Sequence, residues 1–443
     1  MSTKHLMLLL TIVMLSFSSA VAARSPVAPG LDLQPTGVLR AGDGAARHDF
    51  GMDIALQENT AVIGAPGWNN EHGDYTGAVY IFSHNGLAWE EITQLMASDA
   101  RAYETFGVSV DLEGDTLVVG ASAAQLGQPG DPNFTPNAGA VYVFTGSGAT
   151  WTEQARLQPA ELVEFNDFGL ALDLDEATLF VGAPEYGGNY TEAVYAYHHT
   201  GGVWNAPQKL SGPDPSGNHQ FGAAVAVAGD IALVGAPGIN CCDQFSAFEK
   251  GVVYVFTRSG EQWSAAGLLT PDDGFPGDNF GCDIAFDGTT AVIAACQAYG
   301  LPQGANRGYA YVFTHDGSTW TQSARLEPEG DVFFPQGISS VLLDGDRLLL
   351  ATTSRPGGPW PGRVYPYRLE AGTWTAETPI DPPDGHPQTA FGEALALNDQ
   401  HLLVGDSDLS LDDAGRQGGV YTFDKPLELN HSVYVPVIAR PAE

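Results

Sequence analysis

The sequence predicts an all-β fold: a seven-bladed β-propeller of four-stranded antiparallel blades, closed by an N-terminal strand that completes the last blade. Three recurrences predict it. A Phe-Gly pair stands at Phe50-Gly51, Phe106-Gly107, Phe168-Gly169, Phe221-Gly222, Phe280-Gly281 and Phe391-Gly392, with a degraded copy at Phe334-Pro335-Gln336-Gly337. A Gly-Ala-Pro triplet follows at Gly64, Gly182 and Gly235, and more loosely at Gly120-Ala121-Ser122, Ala294-Ala295-Cys296, Ala351-Thr352-Thr353 and Gly405-Asp406-Ser407. An aromatic run comes third, centred on Tyr80, Tyr142, Tyr195, Tyr254, Tyr311, Tyr365 and Tyr421. Three signatures in one fixed order, seven times over, mark a repeat architecture.

Each unit resolves into four short runs. From Phe106 to Leu112, apolar Phe106, Val108, Val110 and Leu112 alternate with small or polar residues, the period of a strand with one packed face. Leu117-Val118-Val119 is continuously apolar and β-branched, as in a strand covered on both faces. Short Asp, Asn and Gly connections such as Asp287-Gly288 supply the positive φ of a tight hairpin between them. The Tyr-bearing run is third. A second hairpin signal follows it, as at Asn85-Gly86 or Asp316-Gly317, and a Trp then opens the fourth run at Trp89, Trp151, Trp204, Trp263, Trp320 and Trp374. Such a meander cannot bury both faces alone, whereas radial stacking of several can. The Gly of each Phe-Gly pair is expected to let neighbouring blades approach, and Pro66, Pro184 and Pro237 to end second strands by removing a ladder donor.

The seventh unit stops after Gly418 to Phe423 with no Trp-initiated fourth run. Ahead of the first Phe-Gly, Thr36 to Asp43 reads like the end of a fourth strand and its loop, as Gln94 to Asp99 does before the second unit. This segment is expected to complete the last blade, giving a propeller over 35–424, preceded by a linker over 23–34 and followed by a tail over 425–443.

The units resemble FG-GAP repeats, the blades of the integrin alpha-subunit N-terminal propeller and of many secreted bacterial proteins. The resemblance covers about residues 35–424. Calcium-binding members carry an Asp-x-Asp-x-Asp-Gly-x-x-Asp loop between the first two strands. Here that connection is only Glu58-Asn59, Asp175-Glu176 or Asp344-Gly345-Asp346, too short to wrap a six- to eight-coordinate ion. The resemblance is therefore to the calcium-loop-free bacterial type, and no calcium ligands carry over.

Residues 1–22 read as a signal peptide: Lys4 and His5, an apolar core from Leu6 to Phe17, and Ala20-Val21-Ala22 as a small-x-small cleavage site. The apolar run is too short for a membrane helix, and no later stretch could span a bilayer. A secreted, extracellular or surface-associated monomer is expected. With 53 acidic and 18 basic residues, the net charge of −35 argues against nucleic acid and anionic membranes as partners. It suits solubility in a salty or extracellular setting. Cys241, Cys242, Cys282 and Cys296 fall on one rim by the repeat register, so two disulfides are feasible in an exported chain. Of three connectivities, Cys241–Cys242 is disfavoured by strain.

The loops joining second to third strands and those joining blades fall on one face. The former vary most and carry Trp68, Tyr75, Phe134, Tyr186, Tyr190, Phe245, Phe248, Tyr299 and Trp360. Exposed aromatics on a rigid scaffold suit stacking on a sugar or protein partner; the same rings could instead fold back onto their own loops. Asp272, Asp273 and Asp278 are candidate calcium ligands, although Asp and Gly in such text are first of all turn residues. No motif requires a cofactor. No His-Glu-x-x-His, nucleophile elbow or phosphate-binding Gly loop is present. Carboxylate pairs for glycoside hydrolysis are uninformative in so acidic a chain. The reading is a non-enzymatic binding or adhesion module for an extracellular protein or glycan. The alternatives are a polysaccharide-degrading lyase or glycosidase on the same scaffold, and a structural envelope or matrix protein.

Overall fold

The computed structural model describes residues 35–424 except 71–72, 128–133, 186–190, 213–218, 239–249, 275–276, 297–307, 329–336, 354–361, 384–389 and 411–414. The signal-peptide, linker and tail expectations for 1–22, 23–34 and 425–443 lie outside the described residues. Seven antiparallel sheets follow one another along the chain, each a blade of four strands paired in sequence order. The second blade is representative: Phe106–Glu113, Thr116–Ala121, Ala140–Ser147 and Thr150–Leu157. Second strands end where predicted, at Ala65, Ala183 and Ala236, each followed by its proline.

First strands of neighbouring blades touch in succession, and the seventh meets the first, so they form the innermost ring. The cores lie between blades. Val62, Val79 and Ile81 of the first blade pack with Phe106, Leu117, Val119, Tyr142 and Phe144 of the second. Each initial Phe meets its blade's third-strand Tyr edge to face: Phe50–Tyr80, Phe106–Tyr142 and Phe168–Tyr195 all have centroids 5.4 Å apart. A bulge recurs between third and fourth strands just before the closing Phe, at Ile81/Phe82, Val143/Phe144, Val255/Phe256 and Val312/Phe313, adding local twist.

The ring closes as the sequence predicts. Gly37–Leu39 pairs antiparallel with Gly419–Asp424 in the register Val38↔Tyr421, completing the seventh blade. One irregularity has a local cause. In the third blade the fourth strand is split into Val203–Trp204 and Gln208–Leu210 by Pro207, which cannot donate to the ladder.

The Phe-Gly glycine does what its residue type suggests. Gly107 has φ +93°, and a Cβ there would stand 2.6 Å from the Ala78 carbonyl oxygen of the preceding blade.

The disulfide corrects one expectation. Cys282 pairs with Cys296 within the fifth blade, Cα atoms 6.1 Å apart. This takes both partners that Cys241 and Cys242 would have needed, so two bridges between neighbouring blades are ruled out. The cause is proximity: the residues lie on the adjacent strands Phe280–Phe286 and Thr290–Ala295 or at their edge. Cys241 and Cys242 lie outside the described residues.

Candidate binding face

The loops joining blades are held by one recurrent device. Two residues before Phe50, Phe106 and Phe168, a buried side chain accepts a backbone N–H from three residues earlier in the loop. Glu104 accepts from Arg101 (3.1 Å), Asn166 from Val163 (2.8 Å) and His48 from Ala45 (3.2 Å). Burial shifts two of these groups toward neutrality, raising the Glu104 carboxyl and lowering the His48 imidazole. The residue between donor and acceptor, three before the Phe, is forced into the left-handed region: Arg47 at φ 67°, Tyr103 at 65° and Phe165 at 63°. Bulky residues rarely adopt that conformation, and here the fixed turn imposes it. Their side chains turn outward, Tyr103 being 60% exposed and Phe165 42%.

These loops meet the second-to-third-strand loops on the same face. Tyr103 N donates to Asp74 O at 2.8 Å and Thr105 N to Tyr75 O at 3.0 Å. The Tyr75 and Tyr103 rings stack across the seam between the first two blades, centroids 6.1 Å apart and planes 18° off parallel. Met96 lies exposed nearby, its sulfur accepting from Asn70 Nδ2.

Of the aromatic candidates read from the sequence, Tyr75 and Phe134 are half-buried on this face. Phe134 sits in a loop closed by the bridge between Leu126 and Thr135. Trp68 is set into the core instead. It is 8% exposed, packs with Phe50, Tyr80 and Leu39, and donates its indole N–H to Asp43 at 3.0 Å. Tyr186, Tyr190, Phe245, Phe248, Tyr299 and Trp360 lie outside the described residues.

Asp43 belongs to a second repeated device. Its carboxylate also accepts from Tyr80 Oη at 2.5 Å, and Gln94 Nε2 donates to that hydroxyl. In the next blade Tyr142 donates to Asp99 at 2.7 Å, and Arg156 pairs with Asp99 at 3.3 Å. Interblade carboxylates thus clamp the third-strand Tyr of the blade that follows.

Asp273 is used in the same way. It pairs with Arg325, whose guanidinium lies 3.9 Å from the Tyr309 ring centroid, and it acts on Tyr311. Asp278 is fully buried, and Asp272 is exposed with its N–H on Gln322 Oε1. The three proposed calcium ligands are not brought together: among the described residues no group of three or more His, Cys, Asp or Glu could hold a metal ion.

The FG-GAP repeat family matches residues 36–82, 89–144, 204–256 and 263–313. Each match begins at or on the fourth strand that precedes a blade and runs on to that blade's third. Integrin alpha-6 of Gallus gallus is 32% identical over 146 residues, 30% of this chain and 13% of that protein. Integrin alpha-2 of Mus musculus is 26% identical over 225 residues, 48% of this chain and 18% of that protein. The chain thus spans less than a fifth of the length of these relatives. Among solved structures, Sqt1 of Saccharomyces cerevisiae aligns over 88% of this chain and 99% of its own at 11% identity, with a TM-score of 0.44. No helix among the described residues is long and apolar enough to cross a membrane. With FG-GAP repeats in four places and seven blades of one plan, the chain is an FG-GAP repeat protein built as an integrin-alpha-like propeller.

Proposed function

We propose that this chain is a secreted, non-enzymatic binding or adhesion module whose loop-rich face meets an extracellular protein or glycan. The supporting observation is the aromatic seam: Tyr103 stacked on Tyr75, with Phe165 one blade further on, all three in left-handed backbone and Tyr103 and Phe165 held there by turns fixed from below. Exposed rings positioned this way meet a partner with little ordering cost, and aromatic residues are enriched where partners bind. Tyr103→Ala and Phe165→Ala should weaken saturable binding to one ligand class on an array of glycans and matrix proteins, run with calcium and with chelator. Unchanged binding by both variants would sink the assignment of this face.

A second reading, a polysaccharide-degrading enzyme, is favoured by one observation. At the seam of the seventh and first blades, burial pushes Glu393 up to about 7 and Asp49 up to about 6, with Asp408 acting on both. Shortening of a bound glycan, abolished by Glu393→Gln, would replace the adhesion reading with this one.

A further inference from the structure

The fourth strand of each blade is the outer edge of its sheet, and alternate backbone groups there point away from the third strand. Such an edge is a template for another strand unless charge, shortness or a break blunts it. The third blade's outer strand is split at Pro207, and the sixth and seventh have only Thr373–Ala376 and Gly37–Leu39. Longer outer strands run over Trp89–Leu95, Thr150–Leu157, Gln262–Leu269 and Trp320–Leu326. All four of these share the bulge opposite the closing Phe, so charge is what distinguishes them. Glu90 and Glu91 guard the first blade, Glu153 and Arg156 the second, and Arg325 the fifth.

The fourth blade has no such guard. Gln262–Leu269 holds no charged residue, and the register shows what stands in place of one. Opposite the third-strand Tyr are Arg156 in the second blade and Arg325 in the fifth, but Leu268 in the fourth. Opposite the closing Phe are Glu91, Glu153 and Gln322, but Ala265 in the fourth. Ala265, Ala266 and Gly267 are exposed, and Leu268 is 55% exposed. The space beside Gly267 is open, since a Cβ there would meet no atom beyond its chain neighbours within 4 Å. At the start of the strand a side chain already acts as a neighbouring strand would. The Gln208 amide, from the third blade, accepts from Trp263 N and donates to Trp263 O, both at 2.8 Å. Ser264 to Leu268 lie beyond that cap.

We propose that this edge pairs with the same edge of a second copy of the chain, joining two fourth blades into one sheet. A two-fold axis perpendicular to the strand makes the pair antiparallel and brings the same residues to both sides. Charge selects this occupant. A foreign partner drawn to the chain would use its net charge of −35, which this edge lacks. A second copy carries the same charge and needs a contact without it. Along Gln262–Leu269 no ion has to be desolvated, and Leu268 with the two alanines supplies apolar contact. One strand pair buries less than the roughly 1,200 Å² of a standard interface. The dimer is therefore weak, giving way to the expected monomer on dilution and strengthening as salt screens the net repulsion.

The double variant Ala265→Glu, Leu268→Arg tests this. It gives the fourth blade the two residues that the second carries at the same register, so it suits the fold, and it leaves the net charge unchanged. Leu87→Lys, at a 91% exposed site on a hairpin of the first blade, is the control. Sedimentation equilibrium from about 1 µM to about 1 mM protein should show the native chain and the control passing from monomer to dimer, more readily in high salt. The double variant should dimerise at least about tenfold more weakly. Hydrogen exchange of the native protein, dilute against concentrated, gives a second readout that a folding defect in a variant does not touch. Concentration should slow exchange within Ala265 to Leu268. A dimer left intact by the double variant, or protection confined to another part of the chain, overturns the proposal. So does a chain monomeric throughout, which would leave the edge to an extended segment of another protein.

Discussion

Trp68→Ala separates a core residue from a ligand-contacting one on the same face. The indole is 8% exposed within the cluster of Phe50, Tyr80, Phe82 and Ala394 that joins the first and seventh blades. Truncating a buried Trp to Ala costs about 3–5 kcal/mol through lost transfer energy and the cavity left behind. Loss of the bond to Asp43 adds to this, although Asp43 retains its Tyr80 donor. The chain from 35 to 424 is about 390 residues long. At roughly 2.1 cal/mol/K per residue, its unfolding entropy near Tm is about 0.8 kcal/mol/K. A loss of about 4 kcal/mol then lowers Tm by about 5 °C if the ring melts as one unit. Tyr103→Ala, on a 60% exposed side chain, should stay within about 0.5 kcal/mol of the parent, less than a degree. Both are read by calorimetry alongside a binding assay. Trp68→Ala melting with the parent while losing binding would refute the core assignment and return Trp68 to the binding face.

Three further outcomes are expected. Gly107→Ala should destabilise by several kcal/mol or abolish folding, because its Cβ would meet the Ala78 carbonyl oxygen at 2.6 Å in a backbone conformation at φ +93°; circular dichroism after expression reads this directly. Reduction of Cys282–Cys296, which closes a loop of sequence separation 14, should remove about 3 kcal/mol on the loop-entropy estimate and lower Tm by a few degrees. An unchanged melt in reductant would contradict a formed bridge. Asp53, pushed up to about 7 mainly by burial, takes up a proton on folding. Its contribution is therefore full below about pH 4 and fades toward pH 7; Asp53→Asn should flatten that part of the stability profile.

The repeat register was legible because each recurring residue answers a steric demand met again in blade after blade. Phe50 and its equivalents fill the gap against the third-strand Tyr, and the following glycine passes where a Cβ would strike the neighbouring backbone. Closure by Gly37–Leu39 was legible too, since the seventh unit lacks the fourth strand that the others need. Tyr103 and Phe165 were not singled out, because bulky residues do not announce a positive φ. The register held the clue: the fifth blade has Gly277 at that position, also at positive φ. Trp68 misled because its loop is long and polar, and only the three-dimensional path shows Asp43 waiting beneath it. The disulfide partner was hidden for a related reason. By the repeat register all four cysteines were expected on one rim, and spacing alone does not say that Cys282 faces Cys296 across the first two strands of the fifth blade.

The inner-strand aspartates raise a wider point about so acidic a chain. Residues such as Asp53, Asp111, Asp173 and Asp283 read in sequence as the polar half of an alternating strand, facing solvent. They instead lie on the inner of each blade's two sheet edges, where Asp53, Asp111 and Asp283 each accept two backbone N–H groups and Asp173 accepts one from the next blade. The seventh blade has Leu395–Leu397, with no carboxylate, as its inner strand. Its seam with the first blade is tied by Asn398 Nδ2 on the Glu58 carbonyl at 2.8 Å, while the shared seventh sheet holds the chain ends together. Carboxylate caps occur at the seams of the first and second, second and third, third and fourth, and fifth and sixth blades. Replacing them by alanine would leave buried N–H groups without acceptors, at about 1–3 kcal/mol for each orphaned donor. Part of the chain's negative charge is therefore tied to the architecture itself, and the surface chemistry that meets a partner can be altered separately from it.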